Sequence, residues 1–279
     1  MPKHVSNIIE MPGEESIVTA IPAYDFESDE NIIITTKDGM IKRSKLKEFK
    51  LQRYNKATSC MKLKENDEVI SVIKEEYDTI FLTTNTGYGL SFKTEEIPVI
   101  GVKASGVKAM KLKDDYLVSA NNFSYNELEF LSVITTKGTG KRVRLSEFEC
   151  STRTRRGVQV LREVKSHPYE VLTTFIEDSK NFIGLKTDEI TSIKLTELPI
   201  ADRYSTGSQI TKKPLNSAFL IPVLTRAEKH QEKLIDTIPE EIEVLEEEEV
   251  KPLKKEKISL QEIDDRLLTI DDFLKERED

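Results

Sequence analysis

The chain has 279 residues, of which 37% are hydrophobic and 33% charged, so part of its length builds no apolar core. The formal net charge of −8 is unevenly distributed, because residues 227–279 carry 9 basic and 19 acidic side chains and residues 1–226 carry 33 and 31. The acidic total therefore does not exclude a polyanion as partner of the first 226 residues, whereas the absence of any apolar stretch of about 18 residues excludes a membrane-spanning helix.

The first 27 residues begin in the middle of a repeating pattern. Ser16–Ala20 aligns with Ile70–Val72 of the next copy, 52 positions further on, but no glycine turn precedes it. The sequence predicts that residues 1–27 form the closing half-blade of a repeat whose opening half is absent.

Four repeats follow, at about 28–77, 78–128, 129–178 and 179–226. Each reads strand, turn, strand, loop, short strand and strand, and the last has Asp188-Glu189 where the others have a turn glycine. The turn glycines are 48 and 51 positions apart and the apolar exits from the loops are 49, 50 and 50 apart. The two series are Gly39, Gly87 and Gly138, and Met61, Met110, Val160 and Ile210.

Repeats of about 50 residues with four short strands predict an all-β, propeller-like disc. A single four-stranded sheet cannot cover its own faces, whereas neighbours packed around an axis bury them in turn.

Residues 227–279 break the pattern, and their composition predicts an acidic, largely disordered tail. Apolar residues at i, i+4, i+7 and i+11 from Ile263 share one helical face, and Ser259 with Glu262 resembles a capping box. We therefore expect a short helix over residues 259–275.

The chain contains no recognisable catalytic motif. His4, His167 and His230 are isolated from other metal ligands, and the chain lacks a phosphate-binding glycine loop. Cys60 and Cys150 are 90 positions apart and are expected to be reduced thiols in a cytoplasmic protein. We predict that the chain is not an enzyme on its own and holds no cofactor.

Cations recur in the same part of each repeat, after the hairpin glycine and in the following loop. The residues predicted to bind a polyanion are Lys42, Arg43, Lys45, Lys47, Arg53, Lys103, Lys108, Lys141, Arg142, Arg144, Arg153, Arg155 and Arg156. Because neighbouring strand residues face opposite ways, one of Lys42/Arg43 and one of Lys141/Arg142 is a candidate for packing along the sheet instead. Protection of sheet edges explains one or two lysines per repeat, but not arginine-rich loops at the repeat period.

Three segments resemble a known family: TTKDGMIKRSKLKEF, IGVKASGVKAMKLKDDYLVSA and RTRRGVQVLRE. They are similar to the C-terminal domain of the A subunit of bacterial type IIA DNA topoisomerases, most of all topoisomerase IV of Gram-positive bacteria and next gyrase. The resemblance covers about residues 4–226 and leaves open which of the two is the parent enzyme.

The resemblance implies a β-pinwheel, a propeller-like disc whose basic rim binds and bends double-stranded DNA and presents it to the cleavage core. The implied partners are double-stranded DNA, the ATPase B subunit of the enzyme and the rest of the A subunit. The implied location is the cytoplasm, at the nucleoid and not at a membrane. ATP, Mg²⁺ and the catalytic residues belong to other parts of such an enzyme, and nothing in this chain matches them.

The alternative is a propeller scaffold that binds protein partners. The cations favour phosphate contacts with little base readout, and few aromatic residues lie in the loops to stack single-stranded bases. Steep salt dependence of duplex binding distinguishes the first function from the second.

Overall fold

The structure is a computed structural model that describes residues 16–23, 25–51 and 58–221. These residues form fifteen strands and four short 3₁₀ helices, with no α-helix among them, as the all-β prediction required. The strands of the first two repeats are β1 (Asn31–Thr36), β2 (Met40–Lys45), β3 (Val69–Lys74), β4 (Thr79–Thr84), β5 (Tyr88–Lys93), β6 (Val107–Lys108) and β7 (Leu117–Phe123). Those of the last two are β8 (Phe130–Thr135), β9 (Thr139–Arg144), β10 (Val158–Gln159), β11 (Val171–Phe175), β12 (Phe182–Lys186), β13 (Ile190–Lys194), β14 (Ser208–Gln209) and β15 (Ser217–Ile221).

Each repeat opens with a hairpin followed by a 3₁₀ helix. The 3₁₀ helices are Leu46–Phe49, Thr94–Glu96, Leu145–Glu147 and Leu195–Glu197. All six residues of β4 are buried, and β1 and β8 are almost as fully buried. Such unbroken burial, in place of an alternating pattern, is expected when neighbouring sheets cover both faces of a strand.

The first three sheets each combine three strands of one repeat with a two-residue strand of the next. Their strand orders are β3-β1-β2-β6, β10-β5-β4-β7 and β11-β8-β9-β14, and all pairs are antiparallel. A structural blade is therefore offset from a sequence repeat, and hydrogen bonds as well as apolar contacts connect successive blades.

The fourth sheet has three strands, in the order β13-β12-β15. In the part of the chain that the structure describes, no later repeat supplies a short strand to β13, and Ile190 on that strand is 64% exposed.

Residues 16–23, expected to close an incomplete repeat, form no strand. A closing strand such as β3 pairs with the opening strand of its own repeat, and no such opening strand lies among the described residues. The predicted tail and its helix lie outside the described residues.

The core runs through the blades and positions the loops at their outer edge. The closing strands contact each other in sequence, β3 with β7, β7 with β11 and β11 with β15. Apolar clusters span consecutive repeats, so that Ile41 of the first repeat packs with Ile97 and Met110 of the second. The strand exchanged between repeats lies at the opposite edge of each sheet, and the loop that leads to it is exposed there.

Candidate nucleic-acid interface

Three equivalent loops, which we term the outer loops, lead from a 3₁₀ helix to the short strand exchanged with the preceding sheet. They are residues 97–106, 148–157 and 198–207, and each ends in a glycine with a positive φ of +78° to +82°. At Gly157 an added Cβ would lie 2.1 Å from the carbonyl oxygen of Gly89, so only glycine fits where the loop joins β5. The end of each outer loop is thereby fixed on the sheet of the preceding repeat.

Lys42 and Lys141, three residues after their hairpin glycines, are buried, with Lys42 0% and Lys141 1% exposed. The Nζ of Lys42 donates to the carbonyl oxygens of Gly101 (2.9 Å) and Val102 (3.0 Å) in the first outer loop. The Nζ of Lys141 donates to three carbonyl oxygens of the third, those of Asp202 (2.8 Å), Arg203 (3.0 Å) and Ser205 (2.9 Å).

Burial lowers the pKa of Lys42, against opposing effects of Cys60 and Glu48. It lowers the pKa of Lys141 to about 8, although Asp202 and Glu147 oppose the shift. The prediction that these two lysines contact DNA is wrong for this structure, because neither ammonium group reaches the surface.

Arg43 and Arg142 were also predicted to bind the polyanion, and their guanidinium groups bind protein instead. Arg43 donates from Nε to the carbonyl of Ile97 (2.8 Å) and from Nη1 to Glu75 (2.6 Å), and its side chain is 16% exposed. Arg142 donates from Nε to the carbonyl of Leu198 (2.9 Å). Both residues connect a second strand to the beginning of the next outer loop, and we remove them from the candidate DNA contacts.

Arg153 and Arg156 connect the middle outer loop to the second repeat. Arg153 Nη1 donates to the carbonyl of Lys108, and Arg156 Nη1 lies 2.7 Å from Oδ2 of Asp115. The Arg156 guanidinium also stacks 3.9 Å from the ring centre of Tyr88. These arginines are partly buried and hold the loop, so their main contacts are structural.

A glutamate nine residues after each hairpin glycine holds the backbone of the next outer loop. Glu48 accepts from the N–H of Val102 (3.1 Å), Glu96 from that of Arg153 (2.9 Å) and Glu147 from that of Arg203 (3.3 Å). The same acid thus binds the same loop position in three successive repeats.

Five predicted cations are exposed: Lys47, Lys103, Lys108, Arg144 and Arg155. Lys45 is less exposed and forms an ion pair of 3.2 Å with Asp29. Arg53 lies outside the described residues. The five exposed cations lie mainly in and beside the outer loops. Of the predicted residues, these are the ones whose side chains can reach a ligand.

Three further cations, outside the set predicted to bind the polyanion, lie at equivalent positions beside the outer loops. The backbone N–H groups of Lys62, Lys111 and Arg162 donate to the carbonyls of Ala104 (3.3 Å), Arg155 (2.9 Å) and Ser205 (3.3 Å), which occupy one equivalent position of the three outer loops. All three donor residues have exposed side chains. These three cations are 49 and 51 positions apart, which is within one residue of the repeat period, and this spacing is the sequence signal that could have identified them.

Adjacent outer loops share one surface groove. Arg155 and Arg156 of the middle loop line it together with Arg203 of the third loop, and Glu147 and Cys150 lie beside them. Arg203 stacks on the exposed ring of Tyr204 at 4.9 Å. Arg155 is exposed and Arg203 is partly exposed, and a guanidinium group in an open groove fits phosphate oxygens by bidentate hydrogen bonding.

Among the described residues, no group of three or more His, Cys, Asp or Glu side chains lies close enough to hold a metal ion. In that same part of the chain no helix is long and apolar enough to cross a membrane. The outer loops therefore carry exposed cations, and hydrogen bonds hold the backbone of these loops to a blade-like scaffold.

Comparison with known proteins identifies the class. The family model for the DNA gyrase C-terminal domain, a β-propeller, matches residues 30–74, 78–123 and 129–165, which are the first three repeats. The crystal structure of the C-terminal domain of DNA topoisomerase IV superposes with a TM-score of 0.77 at 35% identity, covering 84% of this chain and 75% of that one. The C-terminal domain of DNA gyrase A has the same fold, with a TM-score of 0.68 at 21% identity over 79% of this chain and 75% of that one.

Comparison with full-length protein sequences points to the same family. The A subunit of DNA topoisomerase 4 from Bacillus subtilis is 38% identical over 212 residues, and the same protein from Staphylococcus epidermidis is 30% identical over 212 residues. Both alignments cover 75% of this chain and 26% of the relative, so the chain spans about a quarter of the length of these proteins. The chain belongs to the family of C-terminal, β-pinwheel domains found in the A subunit of type IIA topoisomerases.

Proposed function

We propose that this domain binds and bends double-stranded DNA along its outer loops and presents the duplex to the cleavage core of a type IIA topoisomerase. The supporting observation is the recurrence of solvent-accessible cations on equivalent outer loops in three successive repeats. Lys103 on the first loop and Arg155 on the middle loop are exposed, and Arg203 on the third is partly exposed. The last two loops share one groove, so a phosphate backbone can pass from one loop to the next.

Binding of this kind is electrostatic. Lysine and arginine side chains contact phosphates and release condensed counterions, and such contacts carry little base specificity. Holding 20–30 base pairs on a curved edge costs about 1–6 kcal/mol of bending, so several phosphate contacts are required to offset it.

The remaining assignments follow from the family. The proposed partners are an ATPase B subunit together with the rest of the A subunit, and ATP and Mg²⁺ act in those parts of the enzyme. The domain itself is proposed to be non-catalytic and to act in the cytoplasm at the nucleoid, within a topoisomerase IV or a gyrase.

Fluorescence anisotropy with a labelled 30-base-pair duplex tests the proposal. The 279-residue chain should bind it at low salt, and about six phosphate contacts predict a slope of log K against log salt near −5. A single strand of equal length should bind more weakly, because the described outer loops expose few aromatic side chains. Weak duplex binding with a shallow slope contradicts the proposal and favours the protein-binding scaffold.

A further inference from the structure

The buried lysines act on the backbone of the outer loops. The three carbonyl oxygens of Asp202, Arg203 and Ser205 surround Nζ of Lys141 at 2.8–3.0 Å, which satisfies all three donors of an ammonium group. At Lys42 the acceptors are Gly101 and Val102, the residues that correspond to Asp202 and Arg203 in the first outer loop. The same contact therefore occurs in two repeats.

The middle repeat shows that the sheet does not need this ammonium group. Leu90 stands at the position equivalent to Lys42 and Lys141, is 3% exposed and belongs to an apolar cluster with Ile41 and Ile97. There the outer loop is held in another way, by Arg153 on the carbonyl of Lys108 and by Arg156 on Asp115. What Lys141 adds to the fold is thus its attachment to the loop and not the filling of the core.

Both backbone groups of Arg203, its N–H and its carbonyl, are hydrogen-bonded to side chains. Its carbonyl accepts from Lys141, and its N–H donates to Oε2 of Glu147 at 3.3 Å. Its side chain is only partly buried, stacks on Tyr204 and forms no ion pair among the described residues. A guanidinium group on a fixed backbone loses less conformational entropy when it binds a phosphate than one on a mobile loop.

We propose that Lys141 is a positioning residue that fixes the third outer loop so that Arg203 contacts a DNA phosphate, and that Lys42 does the same for Lys103 on the first outer loop. This role rests on the proposed DNA-binding function and adds to it. Neither lysine touches the DNA, and each acts through the loop whose carbonyls it binds.

A double-mutant cycle on the full chain tests the role of Lys141. Lys141→Leu reproduces the natural residue of the middle repeat, and we expect it to fold with an unchanged circular dichroism spectrum. It should weaken duplex binding by the same factor as Arg203→Ala and reduce the magnitude of the salt slope by about 0.9, the value for one phosphate contact. The double variant Lys141→Leu/Arg203→Ala should bind no more weakly than either single variant.

A matched control separates positioning from general destabilisation. Arg155 lies on the middle outer loop, which Lys141 does not contact, so the effects of Lys141→Leu and Arg155→Ala should add. If Lys141→Leu does not fold, the same cycle is run with Lys42→Leu and Lys103→Ala on the first outer loop. A purely structural role would lower the melting temperature without changing the salt slope of the folded protein.

The outcomes are distinguishable. Absence of duplex binding by the wild-type chain contradicts the proposed function itself. Wild-type binding that Lys141→Leu leaves unchanged, or effects of Lys141→Leu and Arg203→Ala that add, contradict the positioning role alone. An Arg203→Ala variant that binds like the wild type also overturns it.

Discussion

The guanidinium group of Arg156 lies 2.7 Å from the carboxylate of Asp115, whose side chain is 1% exposed. Burial by itself would raise the pKa of Asp115. Hydrogen bonds from Arg156, the N–H of Lys113 and the hydroxyl of Thr86 outweigh that effect and lower the pKa. The carboxylate is therefore charged at neutral pH, and Arg156 is required to compensate it.

Replacement of Arg156 by alanine should destabilise the fold. It leaves a buried carboxylate without its counter-ion, and breaking such a pair costs about 3 kcal/mol. Urea denaturation at pH 7 measures the free energy of unfolding of Arg156→Ala against the wild type. A change below about 0.5 kcal/mol, the range of ordinary surface substitutions, contradicts the assignment.

Replacement of the neighbouring Arg155 should weaken DNA binding and leave the stability of the fold almost unchanged. Arg155 is exposed, and its Nε donates only a long hydrogen bond of 3.4 Å to Thr152. We expect Arg155→Ala to change the free energy of unfolding by less than about 0.5 kcal/mol. The same variant should reduce the magnitude of the salt slope of duplex binding by about 0.9. Equal behaviour of the two arginine variants in both assays would contradict the division between loop-holding and DNA-binding cations.

The buried Lys141 predicts a dependence of stability on alkaline pH. Burial lowers its pKa from the ordinary 10.5 to about 8, so between these values the unfolded chain holds a proton that the folded protein has released. Stability rises with pH wherever the unfolded state binds more protons. The contribution of Lys141 to the free energy of unfolding should accordingly increase from about pH 8 to about pH 10.5.

Comparison with Lys141→Leu isolates this contribution from other alkaline titrations. We expect the unfolding free energy of the wild type, minus that of the variant, to grow across the window in urea titrations. A difference that stays constant or shrinks with rising pH would show that the ammonium form is no less stable in the folded protein than in water.

Gly157 predicts a steric effect at the end of an outer loop. Its φ is +78° and an added Cβ would meet the Gly89 carbonyl at 2.1 Å, so Gly157→Ala should lower the free energy of unfolding by about 2 kcal/mol or more. Gly101→Ala is the matched control, because the nearest atom to its added Cβ is a glutamate oxygen at 3.4 Å. Comparable losses in the two variants, measured by thermal melting, would argue against the close approach.

The fold could be predicted from the sequence because its signals are local and repeated. Hairpin glycines and apolar exits at a constant period identify repeats, and the packing needs of small sheets favour a propeller-like disc. The exchange of strands between blades was not visible, since a two-residue strand such as Val107–Lys108 carries no pattern that indicates which sheet it joins. Ser16–Ala20 matched the pattern of a closing strand, but pairing decides whether a strand forms.

The site was harder to predict than the fold. Lys42 and Lys141 have the composition of a basic surface strand, and nothing in the sequence indicates that backbone carbonyls of the next repeat surround them. Leu90 at the equivalent position was a signal that this position is buried. The recurrence of Lys62 and Lys111 at the repeat period was likewise available, but these residues stand outside the arginine-rich stretches.

The most direct measurement of the central claim is the salt dependence of duplex binding by a variant that lacks four exposed cations of the outer surface. The variant is Lys103→Gln/Lys108→Gln/Arg144→Gln/Arg155→Gln, and Lys47 remains. Because the four side chains are exposed, and Arg144 makes only a ring contact of 5.3 Å with Phe130, the fold should be unchanged. The account predicts that the magnitude of the slope falls by about 3 to 4. A variant that binds duplex DNA with the wild-type slope would contradict the assignment of the outer loops as the DNA-binding surface.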